Sequence, residues 1–230
     1  MLTCDDLIVR QGQFALHAAL QIPARARVAV IGPSGGGKST FLLSLGGFLT
    51  PSAGRILWSQ RDITDLPPAA RPMAMLFQDS NLFPHLTLAQ NVALALGPSI
   101  RLTPERKALV SDSLARTGLT GMEDRLPRDV SGGQRSRAAL ARALLQNETF
   151  LLLDEPFAAL GPALKAEMLD LVHALTTENG TTLLMVTHEP AEAKRIATHT
   201  CVVADGQVAP PVETEALFAD PTAVLRAYLG

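Results

Sequence analysis

Nine consecutive residues carry the strongest chemical signal in the chain: Gly32-Pro33-Ser34-Gly35-Gly36-Gly37-Lys38-Ser39-Thr40. They fit G-x-x-x-x-G-K-[ST], the loop that grips nucleotide phosphates. Glycines let successive backbone N–H groups turn inward around an anion, and the start of a following helix adds its positive dipole end. Lys38 offers a point charge to the β- and γ-phosphates, and the Ser39 hydroxyl offers an oxygen ligand to Mg2+. A glycine-rich turn with an exposed lysine is the bland alternative. A strand before the loop and a helix after it weigh against that alternative.

Phe150-Leu151-Leu152-Leu153-Asp154-Glu155 supplies a second half. An apolar strand would deliver Asp154 to the C-terminal edge of a sheet, where phosphate-loop proteins hold Mg2+. Glu155 follows at once, placed to orient or deprotonate an attacking water. A third segment, Val130-Ser131-Gly132-Gly133-Gln134-Arg135, opens a strongly helical stretch. A Ser-Gly-Gly turn at a helix start is an anion site by the same physics. One chain gains little from two phosphate grips, whereas two copies facing each other could use both on one nucleotide.

These groups need elements to position them. Residues 28–31, 150–153, 182–186 and 201–204 are short continuous apolar runs, which read as buried parallel strands. Helical patterns separate them, over 38–49, 162–178 and 190–197. Strand–helix alternation of this kind predicts an α/β fold with a mainly parallel sheet. From about residue 81 to 147 no such strand run occurs, and helical stretches near 87–96, 104–117 and 134–146 predict an all-helical insertion within one domain spanning 1–230. The first 60 residues are ambiguous; alternation at Gly54 to Trp58 points to antiparallel strands there. Beyond Pro211 a short helix over 213–218 and a second one are expected.

Composition narrows the class. Hydrophobic residues at 47% and charged residues at 18% exclude a disordered chain. Aromatics at 4% leave the core to Leu, Ala, Val and Ile. Twenty basic against 22 acidic residues argue against a dedicated nucleic-acid binder. Cys4 and Cys201 are too few for a disulfide framework and fit a reducing cytosol. No stretch reaches the ~18–20 apolar residues of a membrane span, and Met1 to Arg10 lacks the basic start of a signal peptide.

Taken together, the segments resemble the nucleotide-binding subunit of an ABC transporter, over nearly the whole chain. The phosphate loop, the Ser131 to Arg135 signature and Leu151 to Pro156 stand in that family's order and spacing. The resemblance implies a phosphate-loop NTPase core with an N-terminal antiparallel β part and a helical insertion. Its implied ligands are ATP and Mg2+, with Ser39, Gln78 and Asp154 toward the metal. Phe77-Gln78 resembles the family's Q-loop and Thr187-His188-Glu189 its switch histidine segment, so His188 would contact the γ-phosphate. Alone, Gln78 would read as a solvated loop glutamine and His188 as a strand-end histidine. Two copies would pack head to tail, each ATP lying between one phosphate loop and the other copy's Ser131, Gly132, Gly133 and Gln134. The resemblance also implies a membrane permease partner, an indirect link to a periplasmic solute-binding protein, and a peripheral place on the cytoplasmic face of the bacterial inner membrane.

Within the family, Met75 to Val92, Gly47 to Pro51 and Leu183 to His188 are most similar to the ATP-binding subunits of bacterial thiamine importers. Thiamine or a thiamine phosphate therefore ranks first as the transported solute, ahead of ferric iron, sulfate or polyamine. A soluble ABC ATPase acting on DNA or ribosomes is more distant, since no heptad run or second cassette is present. Two positions depart from the family pattern. Gly161 stands where a D-loop aspartate is usual, which would loosen coupling between the two ATP sites. The stretch Val9-Arg10-Gln11-Gly12 lacks the usual adenine-stacking aromatic, leaving Arg10 as the stacking candidate and Phe14 for a buried strand face. The arginines 135, 137 and 142 read as a solvated helix face.

Overall fold

The computed structural model describes residues 1–79 and 81–229. Ser80, in the distinctive stretch after Gln78, and Gly230 lie outside the described residues. The chain opens with a hairpin, β1 (Leu2–Gln11) and β2 (Phe14–Ile22), followed by β3 (Arg27–Ile31) and α1 (Lys38–Leu45). Then come β4 (Ala53–Trp58), β5 (Arg61–Asp62) and β6 (Met73–Leu76). Three helices follow, α2 (Leu88–Ala93), α3 (Pro104–Arg116) and α4 (Gly132–Leu145), before the chain returns to the sheet as β7 (Phe150–Asp154). Next are α5 (Pro162–Asn179), β8 (Thr182–Val186), α6 (Pro190–Ile196) and β9 (His199–Ala204). Short strands β10 (Gln207–Val208) and β11 (Val212–Glu213) lead to α7 (Thr214–Ala219) and α8 (Ala223–Leu229).

The strands order as β5-β4-β1-β2-β10-β9-β3-β8-β7-β6, with β11 added to β9. Pairings β9–β3, β3–β8, β8–β7 and β7–β6 are parallel, whereas β5–β4, β4–β1 and β1–β2 are antiparallel. This matches the expected mixed α/β architecture. The parallel strands are buried on both faces, which is why they read as unbroken apolar runs. In β2 the pattern alternates, and Leu16, Ala18, Leu20 and Ile22 all face the core. β1 slips phase between Cys4 and Leu7, where a bulge places Asp6 at φ 45°.

Between β6 and β7 the chain builds its own apolar cluster, with Leu88 and Val92 of α2, Val110 and Leu114 of α3, and Ala138 and Ala141 of α4. Asn91 is fully buried there. Its amide nitrogen donates to the carbonyls of Phe83, Leu86 and Thr87, and its side-chain oxygen accepts the Phe83 N–H at 2.7 Å. One side chain thus pins the loop that enters the helical region. The signature helix differs from its expected solvated face. Arg137 donates to Thr117 O and pairs with Glu167, and half-buried Arg142 donates to Asn81 O. These guanidiniums stitch α4 to its neighbours.

Arg71 fixes α1 from behind. It is 4% exposed, and its guanidinium donates to the carbonyls of Ser44, Leu45, Leu66 and Thr64. Two of these belong to the last turn of α1, where carbonyls lack intrahelical partners and a cation is favoured. Burial lowers the Arg71 pKa, with Asp65 opposing it. Arg71→Met keeps the stem volume but strands those carbonyls. It is expected to cost about 3 kcal/mol of unfolding free energy, read from the urea midpoint. A shift under about 1 kcal/mol would show that water replaces the guanidinium.

Candidate functional site

The phosphate loop bridges β3 and α1, and its glycines are dictated by close backbone approach. At Gly32, φ is +144° and an added Cβ would lie 2.0 Å from Val203 O, so no side chain lets the loop pass beneath β9. At Gly37, φ is +110° and a Cβ would meet Leu16 Cδ1 at 2.7 Å. Lys38 folds back over the loop, its Nζ donating to Gly32 O at 2.8 Å and Pro33 O at 2.9 Å. Burial lowers the Lys38 pKa, while the charges of Glu155 and Asp154 raise it. No side chain caps the start of α1, whereas α2 and α4 both begin with a complete capping box. The first-turn N–H groups of α1 therefore point at the space a phosphate would fill.

That space is a cavity of about 530 Å³ lined by Ser34, Gly35, Gly37, Lys38, Ser39, Thr40 and Glu155, with Gln11 and Phe14 on its far wall. Across it, β7 delivers Asp154. The Ser39 hydroxyl donates to Asp154 Oδ1 at 3.1 Å. Burial raises the Asp154 pKa, and Glu155 adds to this; the Ser39 hydrogen bond and Lys38 pull it down. A hydroxyl beside a carboxylate is a hard oxygen pair that suits Mg2+, which takes few protein ligands and leaves the rest to water and phosphates. Among the described residues no group of three or more His, Cys, Asp or Glu forms a metal cage.

Glu155 sits at φ 44°, in the left-handed region, with its N–H donating to Val186 O at 3.1 Å. A non-glycine residue held there costs about 1–3 kcal/mol and is retained where the surroundings over-determine it. The turn aims its carboxylate into the cavity. Glu155 Oε2 lies 3.3 Å from His188 Nδ1, and His188 Nε2 lies 3.6 Å from Glu189 Oε1. The structure thus brings together Lys38, Ser39, Asp154, Glu155 and His188.

Two predicted groups lie elsewhere. Gln78 lines a separate cavity of about 510 Å³ with Asp79, Gly132, Arg135, Ser136 and Leu160. The signature stands at the start of α4, where Ser131 Oγ accepts the Gln134 N–H at 3.2 Å and Gln134 Oε1 accepts the Ser131 N–H at 2.9 Å. Gly133 is buried against Leu164, while Ser131 and Gly132 face solvent. Gly161 caps α5, and a Cβ there would meet nothing within 4 Å. An aspartate would fit that position without clash.

The cavity wall formed by the hairpin end corrects the expectation for Arg10 and adds a role to Phe14, which also packs against the core. Arg10 is exposed and does not line the cavity, whereas Phe14 is half-buried with its ring over Gly37. The hairpin explains this, since Gln11 pairs with Phe14 across Gly12-Gln13 and both side chains reach the loop. Gln11 Oε1 accepts a hydrogen bond from the Thr40 hydroxyl at 3.3 Å. Gln11 was missed, and the available signal was the two-residue turn between alternating strands.

Comparison with known proteins agrees with this geometry. Residues 16–158 match the family model described as ABC transporter. The thiamine import ATP-binding protein ThiQ of Cereibacter sphaeroides is 56% identical over 230 residues, covering 100% of both chains. ThiQ of Ruegeria sp. is 55% identical, also over 100% of both. Among solved structures, the ADP conformation of the ATP-binding cassette MJ1267 superposes with a TM-score of 0.89 at 25% identity, covering 100% of this chain and 98% of that one. The cassette MJ0796, in a dimeric post-hydrolysis state bound to ADP and Pi, gives 0.80 at 27% identity, covering 93% and 99%. With a phosphate loop, an acidic strand end hydrogen-bonded to it and a histidine beside Glu155, the chain belongs to the ABC transporter family, as one of its ATP-binding cassettes.

Proposed function

We propose that this chain is the ATP-hydrolysing subunit of a thiamine importer, working as a homodimer against a membrane permease. The observation that carries the ATPase part is one cavity lined by Lys38, Ser39 and Glu155, with Asp154 hydrogen-bonded to Ser39 and His188 beside Glu155. Thiamine rests on the names of the relatives that are 55–56% identical over the whole chain. The solute itself would touch the permease and not this subunit, so no residue here reads it.

In this reading Lys38 and the N–H groups of the loop bind the β- and γ-phosphates, and Phe14 packs beside the adenine. Ser39 and Asp154 would hold Mg2+, which neutralises phosphate charge when bound, and Gln78 would join them only by leaving the second cavity that it lines here. Glu155 takes a proton from the attacking water, and His188 orients the γ-phosphate. Ser131 to Gln134 serve the other copy's nucleotide, a role supported by their place in the fold: they open α4, where Gly132 lines the second cavity and none of the four lines the first. Closure is favoured because only the closed pair contacts ATP from both sides. With Gly161 in place of a carboxylate, the two sites would communicate weakly. Among the described residues no helix is long and apolar enough to cross a membrane, so attachment at the cytoplasmic face would run through the permease.

The test is reconstitution with the permease encoded beside this chain. ATP-dependent uptake of labelled thiamine well above that of ferric iron, sulfate or polyamine is expected. Uptake of one of those solutes without thiamine would overturn the assignment.

A further inference from the structure

The segment carrying His188 is clamped at its backbone. β8 ends at Val186, and the buried Thr187 donates its N–H to Val30 O at 3.1 Å. The Thr187 hydroxyl donates to Glu192 and accepts the Glu189 N–H at 3.0 Å. Lys165 of α5 pairs with Glu189 and, at 3.1 Å, with Glu192. The other half of the His188–Glu189 peptide is its carbonyl. That oxygen accepts a hydrogen bond from the hydroxyl of Tyr228, which comes from α8.

Both ends of one peptide plane are therefore held, the N–H by Thr187 and the carbonyl by Tyr228. A fixed plane on the C-terminal side of His188 restricts its ψ, and with it the direction of the Cα–Cβ bond. His188 itself is half in solvent, with its side chain 49% exposed, so packing alone does not aim the ring. We propose that Tyr228 is a positioning residue for ATP hydrolysis, holding the His188–Glu189 peptide so that the imidazole stays directed at Glu155. The inference rests on the reading that His188 and Glu155 serve hydrolysis.

Nothing in the phosphate loop, signature or switch motifs marks Tyr228. Its helix docks through Leu225, fully buried with Ile31, Val202 and Leu217, and the Tyr228 ring packs against the same cluster, a contact that Tyr228→Phe keeps. Removing the Tyr228 hydroxyl should leave that packing intact. Burial, followed by the charges of Glu155 and Glu189, raises the Tyr228 pKa, so the phenol remains a donor at neutral pH.

The experiment compares wild type, Tyr228→Phe, His188→Ala and the double variant in steady-state ATPase assays of the full chain. Tyr228→Phe is expected to lower kcat about 3- to 10-fold, the worth of one neutral hydrogen bond, with KM for ATP and melting temperature unchanged. In the double variant the tyrosine change should cost nothing beyond His188→Ala, because it acts through that ring. Unchanged kcat in Tyr228→Phe, or a full additional loss in the double variant, would overturn the proposal. A lowered melting temperature with KM rising in step would assign Tyr228 a structural role and overturn it equally. If His188→Ala hydrolyses ATP at the wild-type rate, the reading of the site itself fails, and the inference falls with it.

Discussion

Glu155→Gln is expected to lower kcat about 10²- to 10³-fold while leaving ATP binding intact, and to trap an ATP-bound dimer. The substitution keeps the shape and the left-handed turn that aims residue 155 into the cavity. What it removes is the proton acceptor beside His188, 3.3 Å from its Nδ1. Lys38, Ser39 and Asp154 are untouched, so the nucleotide still has its grip and the closed pair has no route to ADP. Size-exclusion chromatography with ATP and Mg2+ should show a dimer, and product release assays should show little phosphate. A variant that stays monomeric with ATP and turns over at the wild-type rate would remove Glu155 from the mechanism.

Lys38→Ala is expected to weaken ATP binding about 10- to 100-fold, the range of one lost charge-assisted contact to phosphate. The effect has two sources with the same sign. The ammonium no longer meets the phosphates, and the carbonyls of Gly32 and Pro33, which it now holds at 2.8 and 2.9 Å, lose their donor. The loop that depends on them is also the cradle for the nucleotide. Equilibrium titration with a fluorescent ATP analogue separates these sources when paired with the melting temperature without nucleotide. An affinity within about twofold of wild type would mean that the backbone N–H groups alone carry binding. Lys38→Arg should not restore it, because a broad planar fork does not replace a compact ammonium that serves two loop carbonyls from one point.

Much of the core was legible because buried parallel strands write themselves as apolar runs. The strand expected over 182–186 forms with those bounds, and the loop between β3 and α1 lies where G-x-x-x-x-G-K-[ST] placed it. The N-terminal hairpin was obscured by the bulge at Asp6, which breaks the period-two pattern in β1. β6 was not anticipated. Met73-Ala74-Met75-Leu76 has no β-branched residue, and only its pairing with β7 makes it a strand. That strand leads to Gln78, so the position of the Q-loop residue depended on a nonlocal contact. Phe14 packs against the core as its strand position predicts, but it also lines the cavity, because the face a side chain takes at a hairpin end is set by the turn, two residues away. On α4 Arg135 is exposed as its charge predicts, whereas charge alone says nothing about neighbouring backbone carbonyls, and those of Thr117 and Asn81 claim Arg137 and Arg142.

The capping box at the start of α4 bears on how firmly two copies would hold each other. Ser131 and Gln134 are already satisfied by one another within the single chain. Contact with a partner's γ-phosphate would therefore exchange existing hydrogen bonds for new ones, and each exchange returns little net free energy. The decisive gain on closure would come from the phosphate's charge, which is present before hydrolysis and leaves with inorganic phosphate afterwards. An interface built from traded bonds would be held shut by its ligand and would reopen when the ligand is spent. In such a pair, the reversibility that a transport cycle requires at every turn would lie in a two-residue helix cap.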